Sequence, residues 1–288
     1  MKKVLFLIGV LVSFVACSND DSSEIGNVSH NDFDFIGKLH NDGLRHVFGA
    51  NSLSLTRAEV DDYEVELEES ALETSLEDYL KQQLEEDSRL SISEYCTVDV
   101  EQEIADAMTD ANERMRTSTS LAFSDTPSDV LSMIDDVDVC DAAKDDLGDI
   151  YQSFSQYTGV SLFDYLTNKE NAIAISNYNT LEKAILLSTI SVGKNSLDYW
   201  NDITLTSGMS RRNVAKADMV GAVRGAWRGR NVIMVCSMLG GWMGGCSAAL
   251  RYMLVQAVID SAVYAFIESY EVKVDDKVLP PFPLKGDD

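Results

Sequence analysis

Apolar residues recur at helical spacing along most of the chain. From 58 to 90 they follow one another at mostly three, four or five positions on an acidic background, which predicts one or two amphipathic helices. The same spacing predicts further helices over 36–48, 98–116, 142–157, 161–176 and 178–200. Only four prolines occur, and three of them lie in the tail, so little interrupts these helices. The best strand-like alternation, at 270–278, is short, and the pattern predicts an all-α helical bundle.

One helix start can be located from its capping residues. Thr126 offers a hydroxyl cap, Pro127 suits the first turn, and Asp129 places an acid near the positive end of the helix dipole. The apolar residues that follow continue the helical spacing, at Val130, Ile134 and Val137. We therefore expect a helix to begin directly after Thr126.

A row of small residues marks the chain near position 220. Gly221, Gly225 and Gly229 are four residues apart, so on a helix they lie at about 0°, 40° and 80° of one face. Each glycine costs a helix up to about 1 kcal/mol relative to alanine, so three together imply close contact with another helix backbone. Arg224 and Arg228 border the row, which favours an acidic helix of the body as its partner. The GxxxG spacing, with no predicted strand before it, is not a nucleotide-binding fingerprint.

Residues 232–250 carry no charge, and their length nominally suits a membrane span. Glycine pairs at 240–241 and 244–245 interrupt any straight helix there, and Cys236 and Cys246 flank them. In a straight helix these cysteines would be about 15 Å apart, beyond disulfide reach, so a disulfide between them requires a turn. Cys96 and Cys140 leave other pairings open. We favour a buried, Gly-rich apolar helical hairpin; a membrane-inserting hairpin and an irregular loop are the alternatives.

The first residues have the pattern of an export signal. Lys2 and Lys3 precede thirteen uncharged residues, 4–16, a stretch too short to span a bilayer as a stable helix. Ala16 directly before Cys17 resembles the lipobox of bacterial lipoproteins, in which this cysteine is lipidated and becomes the mature N-terminus. Phe14 departs from the leucine usual in that motif. The alternative is an ordinary signal peptide with an incidental cysteine.

A polar, acidic run follows Cys17, at residues 18–24. Such a run cannot pack a core, so it forms a tether. Its position directly after the lipidated cysteine resembles the surface-export signal of Bacteroidetes lipoproteins. The resemblance implies a lipid-anchored protein of the outer membrane or cell surface of a Gram-negative bacterium. Two acyl chains on Cys17 anchor a protein stably without a transmembrane helix, so the membrane is an expected partner.

Charge is unevenly distributed along the chain. The formal net charge is −25, or −27 once residues 1–16 are removed, which argues against a nucleic-acid partner. Residues 207–255 carry a net charge of +6, which leaves −33 for the rest of the mature chain. This favours docking of a basic segment on an acidic body over two separately solvated surfaces. The predicted organisation is a signal peptide (1–16), a tether (17–30), an acidic helical domain (31–205), a basic Gly-rich hairpin (206–272) and a tail (273–288).

Candidate chemistry is confined to the three histidines, His30, His40 and His46, which lie among several acidic residues. Imidazoles and carboxylates bind zinc and other transition metals, but spacings of ten and six residues match no zinc motif. The competing interpretation is that His40 and Asn41 cap or pack a helix. No G-x-S-x-G, H-E-x-x-H or P-loop motif occurs, so the sequence predicts no catalytic residue and no cofactor.

Three segments taken together, at 40–41, 196–200 and 216–222, resemble a type of secreted Bacteroidetes protein with which no activity is associated. The glycine-rich segment also resembles colicin V-type bacteriocins in composition. We expect a non-enzymatic lipoprotein that binds a protein or an envelope component. One alternative is a membrane-active, bacteriocin-like protein whose glycine-rich segment inserts in bilayers. The other is a metal protein or enzyme that uses the histidines.

Overall fold

The computed structural model describes residues 30–50, 62–92, 99–117, 126–202 and 211–270. Within these ranges the chain forms a short 3-10 helix, His30–Phe33, then eight α-helices and no strand. The α-helices are α1 (Asp34–Ala50), α2 (Asp62–Glu86), α3 (Val100–Thr117), α4 (Pro127–Asp135), α5 (Asp141–Gln156), α6 (Gly159–Ala174), α7 (Thr180–Asp202) and α8 (Arg211–Tyr270). The predicted all-α fold is confirmed.

The helices lie close to the positions that apolar spacing predicts. The start of α4 follows the predicted capping chemistry: the Thr126 hydroxyl accepts from the Asp129 backbone N–H at 3.4 Å, and Asp129 accepts from the Thr126 N–H at 3.0 Å. The strand candidate at 270–278 is not tested as a whole, because only its first residue is described and it ends α8. The predictions for Cys17, Cys96, the tether and the tail also lie outside the described residues.

Helix α7 occupies the centre of the bundle. Residues 182–193 within it are all buried, which means that this stretch is covered on every side. It packs along α8 and also contacts α1, α5 and α6. The hydrophobic core is a single cluster that extends from Phe33 to Ala265, so it crosses the predicted domain boundary at 205/206.

The long helix α8 is a hairpin of two arms. Gly241 has φ 66° and ψ −166°, a conformation that L-residues other than glycine rarely adopt, and there the helix axis breaks. Residues 211–240 form the first arm and residues 242–270 the second. The arms run antiparallel, since a Cβ on Gly221 would meet Ala257 whereas one on Gly244 would meet Cys236. The predicted Gly-rich hairpin is confirmed, and a straight spanning helix at 232–250 is wrong.

The glycine row faces the second arm of the same hairpin. A Cβ on Gly225 would lie 2.2 Å from the Tyr252 carbonyl oxygen and 2.6 Å from Met253 Cα. A Cβ on Gly229 would lie 2.6 Å from the Tyr252 ring. The expectation that an acidic body helix fills this groove is therefore wrong. Because the chain reverses at Gly241, the backbone of the second arm occupies the groove instead.

No disulfide joins Cys236 to Cys246 in the described part of the chain. Position 236 lies opposite position 244, because a Cβ on Gly244 would come within 2.6 Å of the Cys236 carbonyl oxygen. Cys246 is two residues further along the second arm and is turned by about 200° from that point. Both cysteines are buried, and close packing at the glycines holds the arms together without this possible cross-link.

Ion pairs connect the basic hairpin to the acidic bundle. Arg228 lies 3.2 Å from Asp110, and Arg251 Nε lies 2.6 Å from Glu103 Oε2, both acids being on α3. Arg224 pairs instead with Asp260 on the opposite arm, where both side chains are buried. Two of these three contacts follow the docking expected from the charge distribution, and the third lies within the hairpin.

Candidate functional site

A polar cluster lies in the interior where α1, α7 and both hairpin arms meet. The side chain of His40, on α1, is fully buried. Its Nδ1 lies 3.1 Å from Asn41 Oδ1, which accepts the ring proton and leaves Nε2 as an acceptor. Nε2 lies 3.1 Å from the Ser261 hydroxyl on the second arm and 3.7 Å from Asp218 Oδ2 on the first arm.

Asp218 receives donors from α7. The Ser196 hydroxyl and the Trp200 indole N–H, the latter at 3.0 Å, both donate to its Oδ2. Its Oδ1 is buried and has no hydrogen-bond partner among the described residues. Asn41 extends the network by donating to the Asn195 carbonyl at 2.8 Å. One carboxylate therefore connects the central helix to the hairpin.

Burial determines the charge states in this cluster. Desolvation lowers the pKa of His40 below its ordinary value of 6.5, although the nearby Asp218 carboxylate and Asn41 act in the opposite direction. Desolvation likewise raises the pKa of Asp218, although His40, Ser196, Ser261 and Trp200 favour its charged form. The His40 ring is thus neutral at neutral pH.

The cluster contains serine, histidine and aspartate, but not in the arrangement that activates a nucleophile. In a catalytic triad the carboxylate binds one ring nitrogen and the serine binds the other. Here Asp218 and Ser261 both face Nε2, while an amide occupies Nδ1. All three side chains are buried, so a substrate cannot reach them. The geometry favours a structural role, in which the network specifies how α1, α7 and α8 pack.

The three histidines do not form a common site in the described residues. His46 is exposed and lies beside the Tyr79 ring, with 5.6 Å between ring centroids, whereas His40 is enclosed. His30 begins the 3-10 helix, and its side chain is not among those described. No group of three or more histidine, cysteine or acidic side chains is placed to hold a metal ion in the described ranges. The metal-site interpretation thus receives no geometric support.

A second feature is the hairpin tip, which we define as residues 234–243. Six of the ten large hydrophobic side chains that are exposed in the described part of the chain belong to it. They are Met234, Val235, Met238, Leu239, Trp242 and Met243, with exposed fractions from 42% to 63%. Such side chains would offer several hundred Å² of apolar surface, comparable with the largest patch of a typical monomer, about 300–600 Å².

Comparison with protein-family models, curated proteins and solved structures gave no match. The site must therefore be interpreted from its own geometry.

Helix α8 is long and apolar enough, by length and composition, to cross a membrane. Only 33% of its most apolar 18-residue window is buried within the protein, whereas the core helix of a soluble protein is mostly buried. The tip contains no charged side chain, and its one ionisable group, the Cys236 thiol, is buried. Chemically, the tip can bind apolar surfaces.

Sequence reasoning found the hairpin but did not predict that its end is exposed. A buried hairpin was the favoured interpretation, and it holds for the parts of both arms away from the turn, where residues 218–226 and 253–265 are buried. One signal was available: apolar residues at 232–239 occur on all sides of the helix, so one neighbouring arm cannot cover them all.

Residues from three separate segments of the sequence, at 40–41, 196–200 and 216–222, converge in the interior cluster. They are His40 and Asn41, Ser196 and Trp200, and Asp218. These residues thus contribute to packing in the interior of the bundle.

Proposed function

We propose that this protein is a non-enzymatic lipoprotein of the bacterial cell envelope, anchored by lipid at Cys17, and that it binds an envelope component through the hairpin tip. The observation that carries the proposal is the exposure of the tip. Six large apolar side chains project from a bundle that otherwise buries nearly all such residues. Exposed apolar patches of this size mark interaction surfaces.

The polar interior supports the non-enzymatic part of the proposal. His40 is the histidine best placed to act on a neighbouring hydroxyl, and it is enclosed with both nitrogens occupied. Acids elsewhere are mostly solvated or paired with basic side chains, as at Asp110 and Glu103. The interior cluster and the ion pairs stabilise the bundle, and the hairpin tip is the surface available for binding.

The anchoring is tested on protein purified from its native envelope. The mature N-terminus should be Cys17 with a diacylglyceryl group, which mass spectrometry of the N-terminal peptide detects. The Cys17→Ser variant should lose the lipid mass and leave the membrane fraction. An unmodified N-terminus in the wild-type protein would contradict the proposal.

The binding role is tested with residues 18–288, which lack the lipid site but include every described helix. This chain should be retained on isolated envelopes. The triple variant Met238→Ser/Leu239→Ser/Trp242→Ser should lose most of that retention. Equal retention of both proteins would show that the tip is not the binding surface.

The second candidate function is a membrane-active, bacteriocin-like protein, which the same apolar tip favours. That activity requires the segment to cross a bilayer. The two arms would have to leave the bundle and break the buried pair of Arg251 with Glu103. Release of a dye from vesicles by residues 18–288 would favour this candidate.

A further inference from the structure

The hairpin tip is bordered on both arms by an arginine at nearly equal distance from the turn. Arg230 lies eleven residues before Gly241, and Arg251 lies ten residues after it. At 1.5 Å per residue, each stands about 15 Å along its arm from the turn. No side chain between them is charged. The hairpin therefore ends in an uncharged segment. Arg251 is buried against Glu103, so the partly exposed Arg230 is the cation that can face lipid headgroups.

The exposed length of the tip matches insertion into the surface of a bilayer. Exposed apolar side chains begin at Met234, seven residues or about 10 Å from Gly241. Interfacial elements bury their apolar face about 5–10 Å into the headgroup and acyl boundary. The hydrocarbon core is about 30 Å thick, so the exposed part of each arm, which is about 10 Å long or less, cannot span it. Arg230 would then remain at the level of the headgroups.

The composition of the tip also suits lipid. Trp242 is 62% exposed next to the turn, and tryptophan is enriched at the membrane–water interface. The Ser237 hydroxyl donates to the Ile233 carbonyl at 2.8 Å, so this polar group is satisfied within its own arm, as a lipid environment requires. Arg230 donates to the Trp227 carbonyl at 3.0 Å and stacks over the Trp227 ring, which places an aromatic and a cation together at the base of the tip.

A second copy of the chain is a less suitable binding partner for the tip than a lipid surface. Stable protein interfaces bury about 800 Å² on each partner, more than a two-helix turn presents. Each copy also carries a net charge of −25, so two copies repel one another. A zwitterionic lipid surface carries no net charge that would repel the protein, and insertion into it does not require an interface of that area.

We infer that the hairpin tip inserts into one leaflet of a phospholipid bilayer and so holds the bundle against the membrane. This inference rests on the proposed function, and it identifies the bilayer as the envelope component that the tip binds. Insertion by the tip adds to the lipid at Cys17, and two membrane contacts orient a protein that one anchor leaves free to rotate.

The experiment uses residues 18–288 and vesicles of phosphatidylcholine and phosphatidylethanolamine, in a sedimentation assay. The wild-type chain should sediment with the vesicles. The triple variant Met238→Ser/Leu239→Ser/Trp242→Ser should bind at least tenfold more weakly. The matched control is Val160→Ser/Ile175→Ser, which changes two apolar residues that are 77% and 87% exposed elsewhere on the bundle. This control should bind like the wild type, and circular dichroism should show all three proteins folded.

Insertion depth is measured by tryptophan quenching with bromine-labelled lipids. Bromine near the headgroups should quench more strongly than bromine at the bilayer centre. In a Trp227→Phe background, Trp242→Phe should remove most of this quenching, since the remaining Trp200 is buried within the bundle. Strongest quenching from the bilayer centre, or dye release from the vesicles, would overturn one-leaflet insertion.

The outcomes separate this inference from the function on which it rests. If the wild-type chain does not sediment with vesicles but its tip still governs retention on envelopes, the tip binds a protein, and only the inference fails. If the tip variant is retained on envelopes and sediments with vesicles like the wild type, both fail. Loss of vesicle binding in the tip variant alone supports the inference.

Discussion

At the scale of single residues, His40 shows how burial converts a candidate ligand into a packing element. Its ring is held on one side by Asn41 and on the other by Ser261, which comes from a helix arm more than 200 residues away. Desolvation opposes a charge on the ring more strongly than Asp218 favours it, so the pKa of His40 falls below 6.5. The polar cluster therefore consists of oriented dipoles around one carboxyl group.

This charge state predicts the titration of the ring. Because its pKa lies below 6.5, the His40 ring should be mostly neutral at pH 7, and nitrogen NMR of the labelled protein should report the tautomer with the proton on Nδ1. In the Asp218→Asn variant the favourable carboxylate is lost, so the pKa of His40 should fall further. A ring that is mostly protonated at pH 7 in the wild type would contradict the assignment.

The cysteines provide a second prediction at this scale. Burial raises the pKa of the Cys246 thiol to about 12, so at pH 8 almost none of it is the reactive thiolate, whereas Cys140 is exposed. Peptide mapping after brief alkylation of the native protein should find label at Cys140 and almost none at Cys246. After denaturation in urea without reductant, Cys246 should label fully. Resistance to label in urea would indicate the disulfide that the structure lacks.

At the scale of elements, the glycine row determines how closely the two arms of α8 pack. Sequence spacing predicted the row and the hairpin because both depend on local geometry. The glycines of the row are four residues apart and therefore share one helix face, and a pair of glycines lies where the chain turns. It did not predict the partner of the row. Charge favoured an acidic helix, but once Gly241 reverses the chain, the second arm is the nearest backbone to Gly225.

Alanine substitutions test this close packing. Gly225→Ala would place a methyl group 2.2 Å from a backbone oxygen of Tyr252, so the arms must separate, and we expect a loss of about 1–3 kcal/mol in the free energy of unfolding. The control is Gly148→Ala in α5, where the nearest atom to the new Cβ is 3.9 Å away. There the better helix propensity of alanine should stabilise the protein by up to about 1 kcal/mol. Denaturant unfolding that gives both variants the same sign would contradict arm-to-arm packing.

At the scale of the whole molecule, a basic hairpin is fixed to an acidic bundle at its base and leaves the bundle at its apolar end. The segregation of charge predicted the first part, and the contacts of Arg228 and Arg251 with α3 agree with it. Charge counting could not predict that Arg224 pairs within the hairpin, because Asp260 becomes its neighbour only after the turn. Nor could it predict how far the tip extends past the last body helix, since that distance depends on the packing of all eight helices.

The Arg251–Glu103 pair is the most deeply buried of the contacts that fix the hairpin to α3. The two side chains are 6% and 1% exposed, and Glu103 Oε1 and an Arg251 nitrogen have no partner among the described residues. Burial raises the pKa of Glu103 above its ordinary 4.5 even beside the guanidinium. Arg251→Met should therefore destabilise the protein by about 3–5 kcal/mol at pH 8, because it leaves an uncompensated buried charge. Replacing both residues, as Glu103→Leu/Arg251→Met, should cost less than the single change.

The pH dependence of the single variant identifies that charge as the cause. Without Arg251 the pKa of Glu103 rises further, and a carboxyl whose pKa is higher in the folded than in the unfolded state favours folding below the unfolded pKa. That contribution is lost as the pH rises through the folded pKa. The destabilisation of Arg251→Met relative to the wild type should thus shrink between pH 8 and pH 5, in urea denaturation at each pH, while that of the double variant, which lacks Glu103, should not shrink. A deficit in the single variant that does not change with pH would mean that lost packing of the arginine stem, rather than an unpaired carboxylate, destabilises the hairpin base.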